Sequence, residues 1–382
     1  MSLARIIRIY LVPGAVFQSI LVGGGYGTGR EVLEYFTRFG PLGGLLAAGL
    51  ALVIFCIVLS LTFEIGRVFS AYDYRAFFKI LLGRFWFIYE IAGFIFMMLV
   101  IAVLISAGSG VLSERFGVPG WVGMALVFSL VGGLEFMGRE VVMRVLTFWS
   151  VVLYVVFATF LFLVFDAIGD QMLEVFQSGE AQTGWAESGF KYAMYNMTGA
   201  PIILYVAREF TSRKHSIGAG VIAALIGIIP AIMFHLAFSA EAEKGDLLAT
   251  AIPVYWMMSK YGMAVLSVAF TVMLFGTLVE TGAGIMQGVN ERVDSYLKEH
   301  QRKPLNRWGH TGVALAFMAL AMLVSSVGIV SLIAAGYGTL GWVFAVIYLL
   351  PLLTVGLWKL HLHKSDDLHP ADISSAKNDS HY

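Results

Sequence analysis

From Thr311 to Trp358 the chain runs without a single charged residue. As one α-helix that stretch would extend about 72 Å, more than twice the roughly 30 Å of a bilayer's hydrocarbon core. It must therefore cross, turn and cross back, and Ser325-Ser326-Val327-Gly328 supplies small and polar residues for the turn. Shorter uncharged runs recur upstream: Ile9–Gly29, Pro41–Phe63, Ile91–Ser113, Phe116–Leu134, Val145–Phe165, Tyr192–Ala207, Ser216–Phe234 and Tyr261–Val279. With 59% hydrophobic and 13% charged residues, against about 25% charged in an ordinary soluble domain, this is the composition of a polytopic all-α membrane protein whose immediate surroundings are a lipid bilayer.

The runs predict ten spans, at approximately Tyr10–Phe36, Pro41–Glu64, Phe85–Leu112, Pro119–Met137, Val141–Phe165, Phe190–Phe210, Ile217–Ala240, Gly262–Val289, Gly312–Val324 and Ile329–Trp358. Basic residues gather in alternate connections: Arg5 and Arg8, Arg67 through Arg84, Arg139 and Arg144, Arg208 through Lys214, Arg292 through Arg307, and beyond Lys359. With ten spans all of these fall on one side with both termini, which the positive-inside rule makes cytoplasmic. The opposite side carries two acidic loops, one with Asp166, Asp170, Glu174, Glu180 and Glu187, the other with Glu241, Glu243 and Asp246. A formal net charge of zero gives no sign of a nucleic-acid partner, and protein partners cannot be read. Cys56, the only cysteine, excludes an internal disulfide and a cysteine metal cluster. The first apolar segment lacks a small-residue cleavage site and is expected to remain as a span.

Ten spans divide five and five, as residues 1–167 and 190–360, with an extracellular acidic loop at 168–189 and a tail at 361–382 expected to lack a fold. Each half begins with a broken helix. In span 1, Gly23-Gly24-Gly25-Tyr26-Gly27-Thr28-Gly29 places five glycines in seven residues, each costing about 1 kcal/mol in a helix interior relative to alanine. In span 6, Asn196, Thr198, Gly199 and Pro201 form a second breaker cluster, because proline lacks a donor and turns its predecessor away from helix. Unwound backbone is tolerated at membrane depth only where it is buried in protein or lines a cavity. Five being odd, the halves enter from opposite sides, and paired broken spans then point to an inverted-repeat transporter with a site between them.

The stretch GGGYGTGREVLEYF followed by TRFGPLGG resembles the first-span signature of the YkvI-type bacterial membrane proteins. IPVYWMMSKYG before span 8 resembles that family's short extracellular helix, and GYGTLGW resembles its tenth span. The similarity extends to about Leu360. It implies a LeuT-like fold within the amino acid, polyamine and organocation transporter superfamily, reduced to ten core spans, and leaves the substrate open.

Backbone groups come first among the candidate site residues. The amides of Gly27, Thr28 and Gly29 would open the outer half of span 1, where the helix dipole favours an anion, while carbonyls around Val22 to Gly24 would face a cation; close helix packing is the alternative for the glycines. The substrate site is therefore placed at Gly23, Gly24, Gly25, Tyr26, Gly27, Thr28 and Gly29 of span 1. In the arrangement the resemblance implies, Tyr195, Asn196, Thr198 and Gly199 of span 6 face that break, either setting specificity or, for Asn196 and Thr198, capping helix ends. Phe94, Phe96, Met97 and Ser106 of span 3 either close the pocket or simply pack. Glu280 lies within span 8, flanked by uncharged residues, and intramembrane carboxylates are functional candidates. Sodium-coupled LeuT-like transporters set two span 8 hydroxyl residues against the span 1 carbonyls, and here Thr277 and Thr281 share a face with Glu280 beside them. Val22, Gly24, Thr277, Glu280 and Thr281 are thus the coupling-ion candidates. Glu280 joins a sodium site, carries a proton, pairs with a cationic substrate, or forms a structural ion pair. Arg30, Glu31 and Glu34 read as an outer gate or local ion pair, Arg30 and Glu34 being four residues apart. His235 reads as a satisfied polar residue, and Glu64, Glu90 and Glu135 as partners of Arg67, Arg84 and Arg139.

No nucleophile elbow, HExxH helix, phosphate loop or Cys/His cluster is present, so the sequence offers an enzyme no chemical anchor. The expected function is ion-coupled secondary transport of a small organic solute, an amino acid or amine by resemblance, with sodium or a proton as coupling ion and no other cofactor. The alternatives are a solute sensor on the same fold and, less favoured, an ion channel.

Overall fold

Nine helices are long and apolar enough to cross a membrane among the described residues, 3–137, 139–179, 181–242 and 246–368 of a computed structural model. They are Leu3–Leu21 (span 1), Arg30–Val68 (the outer end of span 1 running into span 2), Phe87–Glu114 (span 3), Gly120–Met137 (span 4), Val152–Gln177 (span 5), Arg213–Ala242 (span 7), Ala264–Lys298 (span 8), Arg307–Ser325 (span 9) and Ile329–His363 (span 10). Span 6 is the tenth. It escapes a count by length because it is in pieces, the helix Trp185–Asn196 and the 3₁₀ segments Met197–Gly199 and Leu204–Glu209. Helix dominates because a backbone in hydrocarbon must satisfy its own polar groups.

The neighbour relations repeat across the two halves. Spans 2 and 7 lie side by side; span 6 packs on span 2 as span 1 packs on span 7. Span 3 packs on span 9 as span 8 packs on span 4, and span 8 meets span 5 as span 3 meets span 10. Adding five to both members, counting on from one after ten, turns each of these pairs into another and the 2–7 pair into itself, which is the contact pattern of a five-plus-five repeat. Small residues permit the closest approaches: Gly220 of span 7 faces the Ser60 backbone of span 2, and Gly189 of span 6 faces that of Ala47.

Several boundaries differ from the sequence expectation. The hairpin between spans 9 and 10 falls as predicted, with span 9 ending at Ser325 and Gly328 reversing the chain at φ 88°. The expected acidic loop at 168–189 is largely helix: span 5 continues through a kink at Ile168 to Ser178, carrying Asp166, Asp170 and Glu174, and Glu187 sits on the first turn of span 6. The tail, expected to lack a fold, is helical to Leu368; residues 369–382, Glu180 and Glu243 lie outside the described residues. Between spans 2 and 3 a helix Tyr74–Leu82, capped by Asp73 accepting from the Ala76 amide at 2.8 Å, buries Phe77, Phe78 and Leu81. The basic residues of that connection conceal it in the sequence.

Candidate solute site at two helix breaks

Span 1 stops at Leu21 because Val22 leaves helical geometry, with ψ at 82°. A single turn follows, Gly24–Gly27, and helix resumes at Arg30 after Gly29, whose φ of 83° lies in the left-handed region that side chains disfavour. The outer half proper is only Arg30–Tyr35. The amides of Gly27 and Gly29 donate to the carbonyls of Gly23 (2.7 Å) and Tyr26 (2.9 Å). This corrects the expectation of an open anion-facing row, since tight turns engage their own amides. The Thr28 hydroxyl donates to the Gly25 carbonyl at 2.9 Å. The Thr28 carbonyl accepts from the Val254 amide at 3.3 Å, so the loop after span 7 lies over the break.

Span 6 breaks where its sequence indicates. The Asn196 side-chain amide donates to the Tyr192 carbonyl at 2.9 Å and the Thr198 hydroxyl to the Tyr195 carbonyl at 2.7 Å, which satisfies carbonyls that a helix end leaves open. The Tyr89 hydroxyl closes on the Thr198 carbonyl at 3.1 Å. The two breaks meet where Gly199 faces Ile20: a Cβ on Gly199 would stand 2.7 Å from the Ile20 methyl.

Glu31 occupies the junction. Tyr195 donates its hydroxyl to one Glu31 oxygen at 2.7 Å, and the Tyr26 amide donates to the same carboxylate. A Cβ on Gly25 would collide with the Glu31 carboxylate and stand 2.9 Å from Ile333 Cδ1 of span 10, so only glycine lets the acid lie against the span 1 backbone. Rings from four spans enclose it: the Tyr195 centroid lies 4.8 Å from Tyr337, 5.4 Å from Tyr35 and 5.6 Å from Tyr192, and Phe96 lies 5.6 Å from Tyr337. The Tyr35 hydroxyl fixes its ring by donating to the Ile333 carbonyl at 2.8 Å. The hydroxyls of Tyr26 and Tyr192 are buried with no hydrogen-bond partner.

Of the three residues read as an outer gate or local ion pair, Glu31 stands outside the pair. Arg30 and Glu34 do pair, at 2.7 Å, and Arg38 binds the other Glu34 oxygen. Arg30 also donates to the main-chain carbonyls of Leu248 (2.8 Å) and Thr250 (3.1 Å), clasping the loop after span 7. Among the described residues no Lys, Arg or His forms an ion pair with Glu31. A cavity of about 410 Å³ bordered by Glu114, Tyr255 and Trp256 reaches Thr250 on the clasp. It lies apart from Glu31, where the convergent polar groups are. Behind it, Glu241 holds Lys260 and the Tyr261 hydroxyl; burial and then that carboxylate push the Tyr261 phenol above its usual range.

Of the span 8 candidates, Thr277 is buried and donates to the Met273 carbonyl of its own helix at 3.0 Å. The Thr281 methyl lies 3.9 Å from the position of a Cβ on Gly23, so span 8 does face the break. Glu280 is half-buried and in electrostatic reach of Tyr154 on span 5, which is in reach of Tyr26. Of the span 3 residues only Phe96 joins the ring cluster; Phe94 and Met97 contact Arg292 instead. His235 bridges Thr37 (3.1 Å) and the Pro41 carbonyl (2.9 Å), a structural tie. Glu64 pairs with Arg67 at 2.7 Å as expected. Glu90 pairs with Arg292 (3.1 Å) rather than Arg84, and Glu135 accepts from Asn290 at 3.0 Å; the Arg139 side chain lies outside the described residues. Sequence reasoning missed Tyr35, Tyr192 and Tyr337. Tyr192 and Tyr195 share a helix face at a spacing of three, the one local signal available.

A relative aligns with most of this molecule: YkvI, an uncharacterized membrane protein of Bacillus subtilis (strain 168), 24% identical over 344 residues that cover 86% of this chain and 91% of YkvI. The chain is similar to YkvI along most of its length. No family model matches it. Among solved structures, the substrate-bound outward-open state of a Na⁺-coupled sialic acid symporter superposes with TM-score 0.54 at 13% identity, over 90% of this chain and 78% of the symporter. The fold that the chain shares with that symporter is LeuT-like. A manganese transporter of Eremococcus coleocola superposes more loosely, with TM-score 0.45 at 14% identity over 96% of this chain and 89% of that one.

Proposed function

We infer that the protein is an ion-coupled secondary transporter that moves a small organic solute, an amino acid or an amine, by alternating access. The observation that carries this reading is the meeting of two broken helices at one buried carboxylate, the arrangement from which transporters of this fold build their sites. The backbone from Gly23 to Gly29 and the span 6 residues Tyr195, Asn196, Thr198 and Gly199 line the passage, and the Arg30–Glu34 clasp closes its outer side. The halves 1–167 and 190–360 rock about this junction. The segregation of basic residues supports cytoplasmic termini, and the likeness to a Bacillus subtilis membrane protein supports a bacterial inner membrane.

Two groupings suit the coupling ion. Thr277 and Thr281 with the carbonyls of Val22 and Gly24 suit sodium, supported by the approach of Thr281 to Gly23. Glu280 suits a proton, supported by its half-buried place within span 8. Reconstituted protein is expected to accumulate labelled solute by counterflow. With proton coupling, Glu280→Gln removes pH-driven uptake and preserves exchange; with sodium coupling it removes the sodium dependence of binding. Ligand binding with no exchange under any gradient would identify a sensor instead.

A further inference from the structure

The chemistry around Glu31 narrows the solute beyond the choice left above. We propose that the junction binds a small primary ammonium, an amine without a carboxylate, on Glu31, Tyr26 and Tyr192; that it is also carried across the membrane rests on the transporter reading.

The charge comes first. Glu31 is 4% exposed and lacks an ion-pair partner among the described residues, whereas buried carboxylates are ordinarily paired. Tyr195 and the Tyr26 amide use two of its roughly four acceptor positions, so others remain for a cationic donor. Two further acceptors stand nearby. The phenol oxygens of Tyr26 and Tyr192, 1% and 0% exposed, have no hydrogen-bond partner. Both lie in electrostatic reach of Glu31, and Tyr26 in reach of Tyr192. Buried polar atoms left unbonded call for an explanation. A primary ammonium carries three N–H donors, matching one carboxylate and two phenol oxygens. The faces of Tyr195, Tyr337, Tyr35 and Phe96 then offer cation–π contact near the nitrogen and an apolar wall for the rest of the molecule.

The same surroundings disfavour a carboxylate on the solute. A second anion beside Glu31 needs donors of its own, and the amides of Gly27 and Gly29 are engaged within the turn. Arg30 is the nearest cation in sequence, but Glu34 and two main-chain carbonyls hold its guanidinium, leaving only Nε without a partner.

The test is thermal stabilisation and competition binding on the purified full chain, with three primary amines, each beside the amino acid that differs only by a carboxylate: butylamine and norvaline, isoamylamine and leucine, phenethylamine and phenylalanine. At least one amine is expected to bind, with its amino acid at least tenfold weaker. Glu31→Gln is expected to abolish amine binding, and Tyr192→Phe to weaken it roughly tenfold, the loss for one hydrogen bond to a charged group. Should Glu31→Gln fail to fold, the Tyr26→Phe, Tyr192→Phe pair, which retains both rings, decides. The proposal is overturned if no amine binds, if the amino acids bind as well as the amines, or if binding ignores these substitutions. Glu31-dependent amine binding without counterflow would remove transport and leave this inference standing. Counterflow of an amino acid unaffected by Tyr192→Phe would do the reverse.

Discussion

Glu31 and Glu34 stand one turn apart on the same short half-helix and are about equally buried, at 4% and 7% exposure, yet their surroundings are opposite. Glu34 has an arginine four residues before it and another four after it, and both bind it. The same offsets from Glu31 reach Gly27 and Tyr35, so no helical neighbour can neutralise it. Its partner comes from span 6 instead, in the phenol of Tyr195. On the proposed reading the pair separates structure from function within four residues: a carboxylate matched locally holds the helix in place, and the one left without an ion pair is the one that would meet a solute.

The largest effect expected from breaking this contrast is on stability. Arg30→Met leaves Glu34 with only the half-exposed Arg38 and frees the Leu248 and Thr250 carbonyls, so unfolding in detergent should become easier by about 3–5 kcal/mol. Glu31→Gln removes no one's counter-ion and should change stability by only about 1 kcal/mol; equal losses for the two variants would erase the distinction. Next is Gly25→Ala, whose methyl must displace the Glu31 carboxylate or Ile333, costing about 1–3 kcal/mol and most of the solute affinity. Affinity unchanged in that variant would return the glycine cluster to a packing role. The smallest effect is that of Thr281→Val. If sodium binds between spans 1 and 8, this variant should lose sodium-dependent stabilisation while its sodium-free stability shifts by less than about 1 kcal/mol; a wild type indifferent to sodium would leave the proton as the coupling ion.

The breaks and the hairpin at Ser325–Gly328 were legible in the sequence because glycine and proline act locally on φ and on donors, whatever surrounds them. Helix ends were harder. Reading a span to its first charge locates the hydrocarbon boundary, but a helix is free to continue into water, as span 5 does to Ser178 and span 8 to Glu299. The ring cluster around Glu31 was the least legible part. Tyr35, Tyr192 and Tyr337 lie on three different spans, and in a chain with 14% aromatic residues no single ring stands out until the helices bring them together.

The clasp grips peptide groups, since Arg30 holds the carbonyls of residues 248 and 250 and Val254 donates its amide to Thr28. Such a latch depends on chain length and backbone path along Leu248 to Thr250, because what Arg30 holds there is carbonyl oxygen. A one-residue deletion between Leu248 and Thr250 would therefore shift the gripped carbonyls out of register and open the latch, whereas an exchange of the Leu248 side chain leaves its carbonyl in place.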